Sequence, residues 1–425
     1  MARSDRAPTP IAGPPGRGGD GERSPEPEAA AVSWRAFWST YLPALVLALG
    51  TGVALPAVPE LARSFDVSFG VASGVMIAFL AGNLAGTLPS GWLIDRFGGR
   101  RVMLAGPLLT AATAFLVVVA GSFTEVLIYR FAGGFAAQMW LMSRLAAISH
   151  GAAADQRGRQ VSWMFGMDNT GKIAGPLVGG FVAAAWGIRA PFLVFGFLAL
   201  LALVPAFLLS PGTPPSRQVS GRGGAPAVRM RLRDIVASRS VYFAVAFFAG
   251  LARGPVQADL LHLYAAFAYG LGPRAIGLLA TTAAVITLPI GFLAGWLMDR
   301  FGRKTTMVPG FSGVAVAMGA LAASAFLELS LVWYVGLFLI GIAAQALTGG
   351  SIQTVGADVA PPEARGTFLG LWRFTGQGGA LLSPVLFAFL AAQLDYGWSF
   401  VFIAAAAAVV AYLLLRFIPE TRDAA

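Results

Sequence analysis

The chain has 425 residues, 57% of them apolar and only 12% charged, about half the charged share of a soluble globular protein. With a mean hydropathy of +0.72, too little polar surface remains to cover a water-soluble fold of this length, and the composition is that of a membrane protein. The absence of cysteine excludes disulfides, thiolate metal sites and cysteine nucleophiles, and with His150 and His262 as the only histidines neither a metal nor a cofactor is expected.

In chain order, residues 1–33 mix Pro8, Pro10, Pro14, Pro15, Pro25 and Pro27 with glycines and charges. They bury too little apolar surface to offset ordering and read as a disordered tail. The apolar stretch that follows is too long for a signal peptide and lacks a small-residue cleavage pattern. Apolar runs broken by charged or Gly/Pro punctuation then predict spans near 37–59, 69–94, 102–121, 125–149, 161–185 and 190–209. A polar linker over 210–240 separates them from six more, near 241–267, 275–297, 306–327, 331–356, 368–393 and 398–418. A tail over 419–425 closes the chain. At about 20 apolar residues per crossing, twelve crossings fit this length.

Basic residues fall in alternate connections: Arg96, Arg100 and Arg101; Arg157 and Arg159; the linker arginines from Arg217 to Arg239; and Arg300, Arg303 and Lys304. By the positive-inside tendency those loops face the cytoplasm. An even number of crossings then puts both termini there. The net charge of +10 is therefore a matter of topology, and nucleic acid is not an expected partner.

The chain also repeats itself. Gly91-Trp-Leu-Ile-Asp95-Arg96-Phe-Gly98 recurs as Gly295-Trp-Leu-Met-Asp299-Arg300-Phe-Gly302, each between the second and third span of its half. Arg157-Gly158, Gly171 and Pro176 likewise match Arg365-Gly366, Gly379 and Pro384 at one constant offset, and Ala136-Ala137-Gln138 echoes Ala343-Ala344-Gln345. The expected fold is all-α, with twelve transmembrane helices in two pseudo-symmetric six-helix bundles, over 34–209 and 241–418, and a substrate site near the bilayer midplane between them.

From Trp34 to Arg422 the sequence resembles the major facilitator superfamily. The stretch Gly91 to Arg101 matches its loop signature, with Gly99 where a basic residue is usual, and the ending Pro419-Glu420-Thr421-Arg422 is similar to a common family ending. Gly171, Gly175, Pro176, Gly179 and Gly180 in the fifth span resemble the signature of the drug:proton antiporters within it. Arg130, followed by Gly134, Ala136 and Ala137, is similar to the arginine motif that the group associates with proton coupling. The resemblance implies a non-enzymatic carrier in the bacterial inner membrane, monomeric among lipids, that exports amphipathic small organic molecules against inward proton flow. Uptake of a metabolite such as a sugar or organic acid is the alternative on the same fold. A receptor or a lipid-modifying enzyme has no supporting motif in the sequence.

Several residues are candidates for the working parts. Gly91, Asp95, Arg96, Gly98, Arg100 and Arg101, with Asp299, Arg300 and Arg303, sit at helix ends where carboxylates can cap or pair. They read as a latch that closes the cytoplasmic side, or as topology signals alone. The fifth-span glycines and Pro176 would pack closely or soften the helix for gating.

Asp168 and Lys172 lie one turn apart inside the same span, where burial in hydrocarbon costs several kcal/mol. They form either a structural ion pair or a cavity pair that exchanges partners, and Lys172 is consistent with anionic or zwitterionic cargo. Arg130 either snorkels or faces the cavity, whereas Arg144 is expected to snorkel. Arg253 lies near the middle of the seventh span, with Asp259 and His262 three residues apart, placed either as a proton relay or in a solvated vestibule. Arg373 and Gln377 in the eleventh span are cavity candidates, as are Gln138 and Gln345 at matching positions. Many drug:proton antiporters carry an acidic residue within the first or fourth span, but here the first offers only Glu60, at its outer end. The order of proton-carrier candidates is therefore Asp168, Asp259, Glu60.

Overall fold

The computed structural model describes residues 38, 41–151, 157–209, 239–361 and 365–418. The tails over 1–33 and 419–425 and nearly all of the linker lie outside the described residues, as do the side chains of His150, Arg157, Arg159 and Arg365. Everything regular among the described residues is helix: α1 (Leu42–Ala54), α2 (Ala57–Arg63), α3 (Phe69–Ala72), α4 (Gly74–Phe97), α5 (Gly99–Val119), α6 (Phe123–Gly151), α7 (Arg157–Trp186) and α8 (Ala190–Leu209) before the linker. After it come α9 (Ser240–Gln257), α10 (Leu260–Tyr269), α11 (Pro273–Phe301), α12 (Lys304–Phe326), α13 (Leu331–Leu347), α14 (Ser351–Asp358), α15 (Arg365–Gln393) and α16 (Tyr396–Phe417). In hydrocarbon a helix satisfies its own backbone polar groups, and so apolar runs of this length take that form.

Nine helices among the described residues are long and apolar enough to cross a membrane, or ten if the bent pair α9–α10 is one span. The two further crossings expected from the sequence fall on α6 and α7, the long helices that carry Arg130, Arg144, Asp168 and Lys172.

Several spans expected to be continuous are broken. The seventh bends by 49° between α9 and α10. Pro255 lacks an amide donor one turn before the break, and Asp259 adopts a left-handed φ of 55° there. The tenth breaks between Leu347 and Ser351, where Gly350 takes a φ of 78° that a side chain would resist.

The repeat in sequence becomes a repeat in packing. Gly98 ends α4 at φ 86° and Gly302 ends α11 at φ 99°. Arg96 lies over Trp92 (5.2 Å) and Phe97 (5.6 Å) as Arg300 lies over Trp296 (5.5 Å) and Phe301 (5.6 Å).

In the first half, Gly171, Gly175 and Gly179 recur every four residues along one face of α7, against α1. A methyl on Gly175 would stand 2.6 Å from the Cα of Gly52, and one on Gly179 would stand 2.0 Å from the Val53 carbonyl oxygen. The second half repeats this between α9 and α15, where a methyl on Gly379 would meet the Phe247 oxygen at 2.2 Å. Small residues let backbones approach in lipid, where no hydrophobic drive assists.

The halves meet chiefly through α7 and α11. Next to the glycine face, Pro176 and Gly180 abut the start of α11: a methyl on Gly277 would stand 2.4 Å from the Pro176 oxygen, and one on Gly180 would stand 2.8 Å from that of Pro273. Thr281 also donates to the Ile173 carbonyl at 3.2 Å. Phe69, buried at the start of α3, reaches into aromatic groups of the other half, with ring centroids 5.0 Å from Tyr396 and 5.7 Å from Phe267. These approaches lie towards the ends of the helices that carry Gly187 and Gly270, away from the basic loops at Gly98 and Gly302.

Candidate functional site

Below that closed end the halves enclose a set of joined cavities. The first, of about 270 Å³, lies within the first half among α1, α4, α5, α6, α7 and α8, and its walls include Arg130, Arg144, Asp168 and Lys172. The second, of about 480 Å³, lies between the halves and shares Asn169 and Lys172 with the first. It adds Arg253, Gln345 and an apolar wall of Val256, Leu288, Phe292 and Ile342. A smaller third cavity in the second half brings Arg253 together with Arg373, Gln257, Gln353 and Gln377. A fourth, of about 130 Å³, joins Arg130 in one half to Asp259 in the other.

Arg144 is not a snorkelling residue, contrary to the expectation from its distance to the helix end. It is 2% exposed and holds Asp168 through both guanidinium nitrogens, at 3.2 and 3.0 Å. A bidentate pair is the strong form of this contact, and the partner sits on α7, which sequence spacing along α6 does not reveal. The aspartate is thus bound to Arg144 rather than to Lys172, which forms no ion pair among the described residues.

Arg130 faces the chamber, 4.6 Å above the Phe79 ring, and shares the fourth cavity with Asp259. Its Nε is buried without a hydrogen-bond partner among the described residues. The Nε of Arg253 and the buried Oε1 of Gln345 likewise have no partner among the described residues. In a low-dielectric interior such groups are costly to leave unmet.

Asp259 and His262 stand 3.6 Å apart, and His262 is buried beside the Phe338 ring at 5.4 Å. The aspartate starts α10 in the left-handed conformation, so the break in the span presents its carboxylate to the chamber.

Gln138 does not enter the cavities. It is buried in the α4–α6 packing, where a methyl on Gly86 would stand 3.1 Å from its Cβ. Glu60 is also outside them, paired on the surface with Arg63 at 3.1 Å. At the basic end Arg303 pairs with Asp358 at 3.0 Å and Arg100 donates to the Phe207 carbonyl at 2.8 Å, while Asp95, Arg96, Arg101, Asp299 and Arg300 are exposed. The pairing of Arg303 across to α14 had no sequence signal, since 55 residues separate the partners.

Two matching helical halves around a polar chamber define a membrane carrier. The sequence pattern of the Major Facilitator Superfamily matches residues 41–370 and 242–425. The chain belongs to that superfamily and is an integral membrane transporter, not an enzyme.

Among curated relatives, a probable nitrate/nitrite antiporter of Thermus thermophilus is 32% identical over 58% of this chain. The match spans only 56% of that relative's length. Multidrug resistance protein 2 of Bacillus subtilis is 24% identical over 67% of this chain and 72% of its own. The class B tetracycline resistance protein of Escherichia coli is 23% identical over 81% and 85%. A D-xylose–proton symporter structure shares the fold at a TM-score of 0.74 and 21% identity, covering 90% of this chain and 98% of the other.

Proposed function

We propose that the protein is a secondary active transporter of the bacterial inner membrane, working by alternating access and exporting amphipathic small organic molecules in exchange for protons. The carrying observation is that the chamber carboxylates each oppose an arginine: Asp168 grips Arg144 within the first half, and Asp259 faces Arg130 from the other half. Protonation of Asp168 removes the negative charge that holds Arg144. Protonation of Asp259 removes the electrostatic link between the halves near the bend in the seventh span. Either event changes how the halves are held together, which is what coupling of a proton to rocking requires. Relatives named for multidrug and tetracycline resistance support export of organic cargo.

With the basic loops on the cytoplasmic side, the close contacts between the halves would shut the outer end. Asp95 and Asp299 would then latch the cytoplasmic end in the opposite state. In that scheme both termini are cytoplasmic and the carrier acts as a monomer.

The test is transport into inverted membrane vesicles with an imposed proton gradient. Asp259→Asn tolerates the left-handed backbone and so removes charge alone. We expect Asp168→Asn and Asp259→Asn each to lower proton-driven accumulation at least tenfold while cargo exchange without a gradient persists. Proton flux that survives both substitutions would overturn the assignment. Cargo accumulating in whole cells instead of leaving them would favour the uptake reading.

A further inference from the structure

The excess of positive charge in the chamber is not used by the coupling scheme. Its joined cavities present Arg130, Arg144, Lys172, Arg253 and Arg373, against the carboxylate of Asp168, already engaged by Arg144, and that of Asp259 beside Arg130. Among the described residues no carboxylate lines the second or third cavity, and Arg253 belongs to both. Arg253 forms no hydrogen bond or ion pair with any described residue, and its Nε is shut away from solvent. A guanidinium in that setting lacks the counter-charge that a merely structural arginine would have.

We propose that Arg253 and Arg373 form an anion subsite of the transport chamber, with Lys172 as a third cation across the interface, and that the cargo is an amphipathic organic anion. The polar head would be a carboxylate, sulfonate or phosphate, which matches the forked donors of two arginines. The amides of Gln353 and Gln377, in the same cavity, can supply further donors. The apolar wall of Val256, Leu288, Phe292 and Ile342 in the adjoining cavity would receive the body of the molecule. Because Arg253 and Arg373 lie in the second half and Lys172 in the first, such a cargo touches both halves at once and is sensed when they move.

This rests on the reading of the chamber as the transport site, but not on proton coupling. The full chain, purified into nanodiscs of phosphatidylcholine, should therefore be titrated with three aromatic probes of one size: 1-naphthoate, 1-naphthalenemethanol and 1-naphthylmethylammonium. Nitrate serves as a fourth probe without an apolar body.

We expect 1-naphthoate to bind at least tenfold tighter than its neutral and cationic counterparts. Arg253→Gln and Arg373→Gln should each weaken it about tenfold, with little change for the neutral probe, while Arg253→Lys recovers part of the loss. Unchanged binding of the neutral probe shows that the variants are folded. Nitrate displacing naphthoate at similar concentration would keep the anion subsite and restrict the cargo to small anions. Wild-type protein that prefers the neutral or cationic probe, or binds none of them, overturns the proposal, as does naphthoate binding unchanged by both Arg253→Gln and Arg373→Gln. Failure of the proton-flux experiment with intact naphthoate binding would sink the coupling scheme alone.

Discussion

At the scale of single residues, Arg144 and Asp168 show what spacing along one helix conceals. Read along α6, the arginine is a long cation near a helix end; in the fold it is the buried anchor of an aspartate on the next helix. Removing one partner leaves the other's charge with little compensation. Asp168→Asn should therefore lower the stability of the detergent-purified protein by about 3 kcal/mol, read as a fall in the thermal midpoint. Arg144→Gln combined with Asp168→Asn should cost less than the two single effects added, which a double-mutant cycle measures directly. Asp259 was recognisable as a candidate from its spacing to His262, but not its backbone. Only the fold shows that it sits at a break in the span, where a left-handed residue can present a carboxylate between the halves.

At the scale of elements, the glycine signature of α7 was legible as a packing motif, and the structure divides it into two faces. Gly171, Gly175 and Gly179 bring α7 against α1, while Pro176 and Gly180 bring it against α11 of the other half. The first face is structural. Gly179→Val would drive a side chain into the Val53 backbone, which cannot yield, so a loss of at least about 3 kcal/mol is expected, seen as failure to accumulate in the membrane. The second face is an interface that must open during transport. Gly180→Ala should leave the fold intact and weaken closure at that end. The helix-ending Gly98 and Gly302 were quoted from sequence only as parts of a motif; their positive φ gives them a second role, and Gly98→Ala should cost about 1 kcal/mol in thermal stability.

At the scale of the whole molecule, the position of Phe69 predicts how the closed end is held. Its ring crosses from the first half into the group formed by Tyr396, Phe267 and Phe387. Truncating a buried aromatic costs about 3 kcal/mol of packing, and here the loss falls on one conformation rather than on the fold. Because the native chain has no cysteine, a single Thr51→Cys reporter in the chamber wall can be labelled cleanly. Adding Phe69→Ala should speed its reaction with a membrane-impermeant maleimide applied to intact cells severalfold. An unchanged rate would mean that the aromatic contact does not hold that end shut.

The sequence alone determined the membrane class, the all-helical character, the two-fold repeat and the superfamily, because each is written in local composition or in patterns that recur at fixed offsets. Hydrocarbon leaves the backbone little choice but helix, so apolar length suffices to read a span. The tertiary structure decided which charges oppose one another, where spans break and which half each cavity wall belongs to. Those depend on how helices rotate about their axes and on partners tens of residues apart, as with Arg144 and Asp168, 24 residues apart, or Arg253 and Arg373 on different helices. Facing between helices is set by close packing of small residues across the bundle, and no window along a single strand of sequence contains that information.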